Sequence, residues 1–383
     1  MPGIDPHTLV IVVSFQCLLI SCVLAAMRAS FPRTIGGIGQ WAASMPLFVL
    51  ASVVYSIPEA HPIVTVMLGN ALFLSAMLLL NTSMLSFYEQ RLPRWPKVAI
   101  FCAVIMAALA WLAFVHPSFI LRLVMMSVVG TALFGYVAWL PFRYGNRSVG
   151  SVLTSVAFGW TSLICLLRVV LVLLDYDLPS ELLDLSAFQV IYLTTFNVSL
   201  LIGSVGFILL INERLRFLLE YNASHDALTG ILNRGAFFNG AKELFEASRR
   251  QAQPLSVALL DLDHFKQIND GYGHAAGDRV LKEFCLRVKS VLRSTDLLGR
   301  YGGEEFVLLL PGSTSEEALA IARRLKSAVA QVGDALPYTV SIGLATLSSG
   351  TGTLDELLVQ ADRALYQAKE KGRDRIEEWS GAQ

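Results

Sequence analysis

The sequence predicts a membrane bundle of about seven α-helices, followed by one α/β (α+β) domain with helices around a central mixed sheet. Three observations predict it. Mean hydropathy is +0.57 and only 16% of the 383 residues are charged, too apolar for a soluble protein of this length. The apolar excess is confined to one part of the chain: apolar runs and short polar gaps alternate up to about Asn212, and charges become common after Glu213. In that second part, strand-like and helix-like runs alternate around a Gly-Gly pair, the pattern of helices packed on a sheet. The expected division is 1–211 for the membrane region, 212–223 for a joining helix, 224–378 for the α/β domain and 379–383 for a tail.

A spanning helix needs roughly 20 mostly apolar residues. Seven runs qualify, at about 9–27, 38–57, 63–85, 98–115, 119–141, 149–174 and 187–211. Arg28 and Arg33 follow the first run, Arg91, Arg94 and Lys97 the third, Arg143 and Arg147 the fifth, and Arg214 and Arg216 the seventh. The gaps at 58–62, 116–118 and 175–184 are neutral or acidic. Basic loops stay inside, so the N-terminus is expected outside and everything after Glu213 in the cytoplasm. Residues 1–8 carry no Lys or Arg, which is wrong for a cleaved signal peptide.

Arg168 lies within the sixth run, where a charge is costly and often functional. It can equally snorkel outward or pair with Asp175. Asn70, Gln189 and Asn197 are expected to make hydrogen bonds between helices. His7, His61 and His116 fall on the outer side, too far apart in sequence to argue for a metal site. No pair of broken half-helices at matching positions points to a transport site, so a sensory or anchoring role is expected. The five cysteines lack metal-ligand spacing and read as small buried hydrophobes. A net charge of zero gives no reason to expect a nucleic-acid polymer as partner.

Residues 211–222 continue the last run as a helix with Leu215, Leu218 and Leu219 on one stripe. The stripe suits pairing with a second copy and packing on its own domain equally well. Helices are then expected at about 234–250, 264–271, 276–292, 314–332 and 354–371, with strands at 255–261 and 337–346 and a hairpin over 296–310.

The run 255–260 is continuously apolar, hence a buried strand. It ends in Asp261-Leu262-Asp263, of which Asp261 is expected to face a site and Asp263 to turn away. Gly302-Gly303 reads as a tight hairpin tip followed at once by Glu304 and Glu305. If the hairpin lies beside the strand, Asp261 and Glu304 converge. Such hard oxygens suit Mg²⁺ or Mn²⁺, with nucleotide phosphates completing the shell. An isolated Asp-x-Asp is also a common surface pair. Phe265-Lys266 opens a helix whose backbone N–H groups suit phosphate. Asn269 and Asp278 are spaced to flank a flat ring. Asp can accept from guanine's two adjacent donors, which adenine lacks.

Together these blocks resemble the GGDEF family, the diguanylate cyclases. They run from Asp261-Leu-Asp-His-Phe-Lys-Gln-Ile-Asn-Asp270 through Gly273-His274 and Gly277-Asp278 to Arg300-Tyr-Gly-Gly-Glu-Glu-Phe306. Asp226-Ala-Leu-Thr-Gly-Ile-Leu-Asn-Arg234, Ser341-Ile-Gly343 and Ala361 to Lys369, Gly372 and Arg373 agree. The resemblance covers the cytoplasmic domain and stops at the membrane region. It implies a palm-like fold related to nucleotide cyclases, and the joining of two GTP into cyclic di-GMP with release of two pyrophosphates. By resemblance, Asp261, the Leu262 carbonyl and Glu304 hold the metals, with Glu305 a further metal-side carboxylate. Glu304 also accepts the proton of the attacking 3′-hydroxyl. Asn269 and Asp278 read guanine, and His274 belongs to the substrate-binding set. Lys369 and Arg373 contact the outer phosphates above the Phe265–Lys266 backbone. Arg293 and Asp296 match the family's inhibitory product site, although Arg-x-x-Asp alone is also a surface ion pair. Asp374 stands where the family commonly has Asn.

The resemblance further implies a homodimer, since each domain holds one GTP, and a bacterial inner membrane in contact with lipid. The competing expectations are a non-catalytic cyclic di-GMP receptor, for which the metal carboxylates are superfluous, and a transporter with a regulatory domain.

Overall fold

The computed structural model describes residues 6–57, 61, 63–174, 176, 187–330, 336–347 and 352–381. The chain forms two compact units, Met1–Phe217 and Leu218–Gln383.

The first unit contains α1 (Pro6–Ser30), α2 (Ile38–Tyr55), α3 (Gly69–Phe87), α4 (Trp95–Ala110), α5 (Phe119–Tyr144), α6 (Val149–Leu173) and most of α7 (Ala187–Ser224). Helix α3 is preceded by a π-helical stretch, Ile63–Leu68, and α4 is followed by another, Trp111–Val115. Among the described residues, seven helices are long and apolar enough to cross a bilayer. Their outward faces carry large apolar side chains such as Phe15, Val104, Val156 and Leu201. A helix apolar on all sides suits a lipid surround.

The interior of this unit is built on aromatic rings. Trp41 is fully buried, stacks on Phe207 with centroids 4.2 Å apart, and donates from Nε1 to Ser204 Oγ at 3.1 Å. Arg168 is 5% exposed, so it does not snorkel. It hydrogen-bonds Gln189 and sits 4.4 Å from the centre of the Tyr192 ring. The Gln189 reading therefore finds a partner across helices. The Asp175 pairing lies outside the described residues. Asn70 departs from expectation: its side chain donates to Val66 O of the preceding turn, at 2.7 Å. At Asn197 the main-chain carbonyl makes the bond between helices, accepting from Gln16. A side-chain amide in a helix can always reach the carbonyl four residues back, which satisfies it without a neighbour.

Helix α7 runs unbroken from Ala187 to Ser224. Of its predicted stripe, Leu215 and Leu218 are half-buried, whereas Leu219 is 58% exposed.

The second unit continues with α8 (Arg234–Arg250), β1 (Leu255–Leu262), α9 (Phe265–Tyr272), α10 (His274–Val291), β2 (Leu297–Arg300), β3 (Glu305–Pro311), α11 (Ser315–Ala330), β4 (Val340–Thr346), α12 (Leu354–Glu370) and β5 (Ile376–Glu378). The strand order is β2-β3-β1-β4-β5. Strand β1 is antiparallel to both neighbours, and β5 runs parallel to β4, so the sheet is mixed as expected. The short β5 carries no apolar run and escaped the sequence reading.

Successive side chains of a strand alternate between faces. Ala258, Leu260 and Leu262 pack with Phe306 and Leu308 against α10 and α11. Val257, Leu259, Val307 and Leu309 pack against α8 and α12 on the other face. Both faces are covered, which is why β1 is apolar from Leu255 to Leu260 apart from Ser256, whose hydroxyl donates to Ser313 O at 2.9 Å. Gly343 explains the Ser-Ile-Gly block. A Cβ there would lie 2.2 Å from Leu365 N and 2.3 Å from Ala361 O, so only glycine lets the α12 backbone settle on β4. The N-terminus of α12 is fixed by a capping box between Thr353 and Glu356.

Candidate active site

The site sits where β1 and β3 end beside the C-terminus of α12. Asp261 pairs with Glu305 on one side and with Ser341 on the other. One residue further, Leu262 N donates to Glu304 O at 3.2 Å. The register therefore sets the hairpin tip against the end of β1, the convergence expected from the sequence. Lys369, in the last turn of α12, places Nζ 2.7 Å from Asp261 Oδ2.

These charges act on one another. Burial raises the Asp261 pKa; Lys369 opposes this, Asp263 adds to it, and the net direction is upward. Glu304 is also raised, first by burial and then by the charge of Asp261, with Lys369 opposing and Glu305 adding. Two carboxylates that resist ionising together form a site short of positive charge. Hard oxygen donors in that state suit a divalent cation. Among the described residues, no three His, Cys, Asp or Glu side chains converge as a ligand set. The chain thus offers Asp261, Glu304 and a main-chain carbonyl such as that of Leu262, leaving other positions to ligand oxygens. Glu305 is folded back: its Oε2 would be 2.6 Å from a Cβ on Gly302.

Residues two apart in a strand share a face, so alternation alone does not separate Asp263 from Asp261; its hydrogen bonds do. Strand β1 stops at Leu262, and the Asp263 carboxylate is already occupied. It accepts from Thr339 Oγ1 at 2.7 Å, Ser341 Oγ at 2.7 Å and Asp374 N at 3.0 Å. Asp263 is 3% exposed, and the three donors satisfy its buried side-chain oxygens.

The Gly-Gly tip also departs from the simple hairpin reading. Neither Gly302 nor Gly303 has a positive φ, so this is not a two-residue turn of the primed type. Residues 301–304 form a loop held by Arg300. Its Nη2 donates to Gly303 O at 2.6 Å and its Nε to Gly302 O at 3.2 Å. Nη1 meets both carboxylate oxygens of Asp226, at 3.0 and 3.1 Å. Asp226 in turn accepts from Thr229 N and Thr229 Oγ1. Asn233 caps α8 by accepting from Ala236 N and reaches back to Ala223 O at 2.7 Å. The block from Asp226 to Arg234 thus ties the end of α7 to the tip that carries Glu304. Sequence reasoning quoted these residues without giving Arg300 or Asp226 a role. The signal was the unlike-charge pair itself, 74 residues apart.

The remaining predicted residues fall around this centre. His264 takes a left-handed φ of 58° and starts α9, Phe265 is buried beneath it, and Lys266 is exposed. Asn269 lies against α10: a Cβ on Gly277 would be 2.1 Å from Asn269 Oδ1. Gly277 is therefore what admits Asn269 next to Asp278. Asp278 itself is exposed in the ligand-free chain, as is His274 at the start of α10. Arg373 is exposed at the turn after α12. Arg293 and Asp296 close a turn away from the carboxylates. Arg293 N donates to Asp296 Oδ2 at 2.8 Å, and Asp296 Oδ1 is buried with no partner.

Comparison with known proteins agrees with this geometry. Residues 223–375 match the family model described as diguanylate cyclase, GGDEF domain. The diguanylate cyclase DgcM of Escherichia coli (strain K12) is 45% identical over 170 residues, covering 43% of this chain and 40% of DgcM. The uncharacterized protein YhcK of Bacillus subtilis (strain 168) is 37% identical over 206 residues, 51% of this chain and 57% of YhcK. The response regulator PleD of Caulobacter vibrioides is 40% identical over 158 residues, 39% of this chain and 35% of PleD. The chain thus spans between about a third and somewhat over half of the length of these curated relatives. Through its residues 223–375, the chain belongs to the family of diguanylate cyclase GGDEF domains.

Proposed function

We propose that this protein is a membrane-bound diguanylate cyclase that condenses two GTP into cyclic di-GMP and releases two pyrophosphates. The observation that carries the reading is the placement of Glu304 beside Asp261, with Lys369 Nζ 2.7 Å from Asp261. Asp261, Glu304 and the Leu262 carbonyl would hold Mg²⁺ or Mn²⁺. When bound, such a cation would supply charge neutralisation for the triphosphate and acidification of the 3′-hydroxyl. Glu304, beside Asp261, would take the hydroxyl proton. Asn269 and Asp278 hold the guanine edge, with His274 at the rim. Lys369 leaves Asp261 to meet the outer phosphates together with Arg373 and the Phe265–Lys266 backbone.

Each domain holds one GTP, so two copies must face each other. The exposed Leu219 on α7 supports a parallel pairing of two α7 helices. Residues 1–211 act as the sensory membrane region, 212–223 as the transmitting helix and 224–378 as the cyclase, with the N-terminus outside. The full chain in lipid nanodiscs with GTP and Mg²⁺ is expected to yield cyclic di-GMP by chromatography. Absence of product at high protein concentration, with cyclic di-GMP still bound, would favour a receptor instead.

Arg293 and Asp296 are the proposed inhibitory product site. Arginine can fork onto the acceptor edge of guanine or onto a phosphate. Arg293→Ala is expected to keep progress curves linear at product concentrations that stall the wild-type chain. Unchanged inhibition would remove Arg293 from that site.

A further inference from the structure

Helix α12 is followed by three residues in succession at positive φ: Gly372 at 110°, Arg373 at 62° and Asp374 at 46°. Two of them carry side chains, and an L-residue enters this region only when its surroundings hold it there. The restraints are visible. Arg373 N donates to Ala368 O at 3.0 Å, and Ile342 N to Arg375 O at 2.9 Å. Asp374 N donates to the buried Asp263. The side chain of Asp374 makes one further contact, an ion pair from Oδ1 to Lys326 Nζ at 3.1 Å. Lys326 belongs to α11, an element that supplies no residue to the proposed catalytic centre.

The pair has a consequence for anion binding. Asp374 adjoins Arg373, the residue proposed to meet the outer phosphates. A free carboxylate there repels a triphosphate, because like charges a few ångströms apart disfavour each other. An exposed ion pair contributes little to stability by itself. Its effect here is to cancel a negative charge beside an anion site, while the main-chain bonds hold the turn that carries Arg373.

We infer that Lys326 assists nucleotide binding through Asp374: it neutralises the carboxylate on the left-handed turn that presents Arg373 to the triphosphate. The inference rests on the cyclase reading and extends it to a helix outside the site. It predicts that Lys326 and Asp374 are coupled, with Lys326 needed only because residue 374 is acidic.

The test is a double-mutant cycle on the full chain in nanodiscs, read by titration with a fluorescent GTP analogue and by steady-state kinetics. Lys326→Met is expected to weaken nucleotide binding and raise KM roughly three- to tenfold, with kcat held within about twofold. Lys326→Arg should restore most of the affinity. Asp374→Asn should bind at least as well as wild type, and adding Lys326→Met to it should cost less than about twofold. The inference is overturned if Lys326→Met binds like wild type, if the loss persists undiminished in the Asp374→Asn background, or if kcat falls with KM unchanged. Wild-type chain that binds GTP without turning it over would sink the cyclase reading alone. Wild-type chain that binds no GTP would sink both.

Discussion

Glu304→Gln is expected to abolish turnover while making the metal-free chain more stable. Loss of a general base costs roughly 10²–10⁴-fold in rate, and here the same residue is also a proposed cation ligand, so the upper end applies. The stability effect follows from the raised pKa. Burial, Asp261 and Glu305 all push the Glu304 pKa up, against Lys369. A carboxyl whose pKa is higher in the folded chain takes up protons on folding. Its favourable contribution is therefore greatest at low pH and is lost as pH rises from its ordinary value through the raised one. At neutral pH the ionised Glu304 works against the fold, and glutamine removes that penalty at nearly constant shape. Mg²⁺ should raise the melting temperature of the wild-type chain and have much less effect on the variant. Melting curves with and without Mg²⁺, beside product chromatography, decide the matter. Near-normal turnover, or a variant that melts well below wild type without metal, would remove Glu304 from the centre.

Much of the cyclase unit was legible in the sequence because both faces of its sheet are covered. The run 307–310 has no polar interruption and 255–260 has one, Ser256, and the flanking helices carry clear stripes, so the elements fall close to their expected bounds. The seven apolar helices were legible for a related reason: a helix able to cross a bilayer needs a length and a composition that no other helix among the described residues has. What failed was local. Asn70 turned to its own helix, since the pattern of a polar residue in an apolar run says nothing about its rotamer. Strand β5, only three residues long, is made by pairing with β4 and has no pattern of its own.

The site divides in the same way. Asp261 and Glu304 could be brought together on paper because each ends a recognisable strand, and antiparallel register then sets the meeting. Asp263 could not be assigned. Its three donors come from Thr339, Ser341 and Asp374, distant in sequence and individually ordinary. Arg300 was hidden for a different reason. A basic residue before Gly-Gly looks like a strand end, and its real partners are two main-chain carbonyls and an aspartate 74 residues earlier. Main-chain acceptors leave no trace in a sequence.

Arg300→Ala is expected to produce the largest loss of stability among single changes at this site, and to reduce turnover without touching the substrate. The side chains of Arg300 and Asp226 are 16% and 22% exposed, between the surface pairs that contribute under about 1 kcal/mol and the buried pairs whose disruption costs about 3–5 kcal/mol. A loss of about 2–4 kcal/mol follows, and a domain of this size then melts roughly 5–15 °C lower. Burial alone would raise the Asp226 pKa, but hydrogen bonds from Thr229 and Arg300 outweigh it and hold the group below its ordinary value. The contribution of the pair is therefore fully present above the ordinary aspartate range and is lost as pH falls through the lowered value. The stability gap between wild type and variant should shrink in strong acid and stay constant from mildly acidic pH upward. Arg300→Lys keeps the charge, but one ammonium cannot reach Asp226 and the Gly302 and Gly303 carbonyls at once, so most of the loss should remain. Turnover should fall as well, because the carbonyls that Arg300 holds immediately precede Glu304, and a shift of about 1 Å in a reacting group can cost about 10²-fold. Melting temperature and kcat of the Ala and Lys variants, measured across pH, test this. A lysine variant as stable and as active as wild type would mean that the Arg300 bridge between Asp226 and the glycine carbonyls is incidental and that the tip is held by the sheet alone.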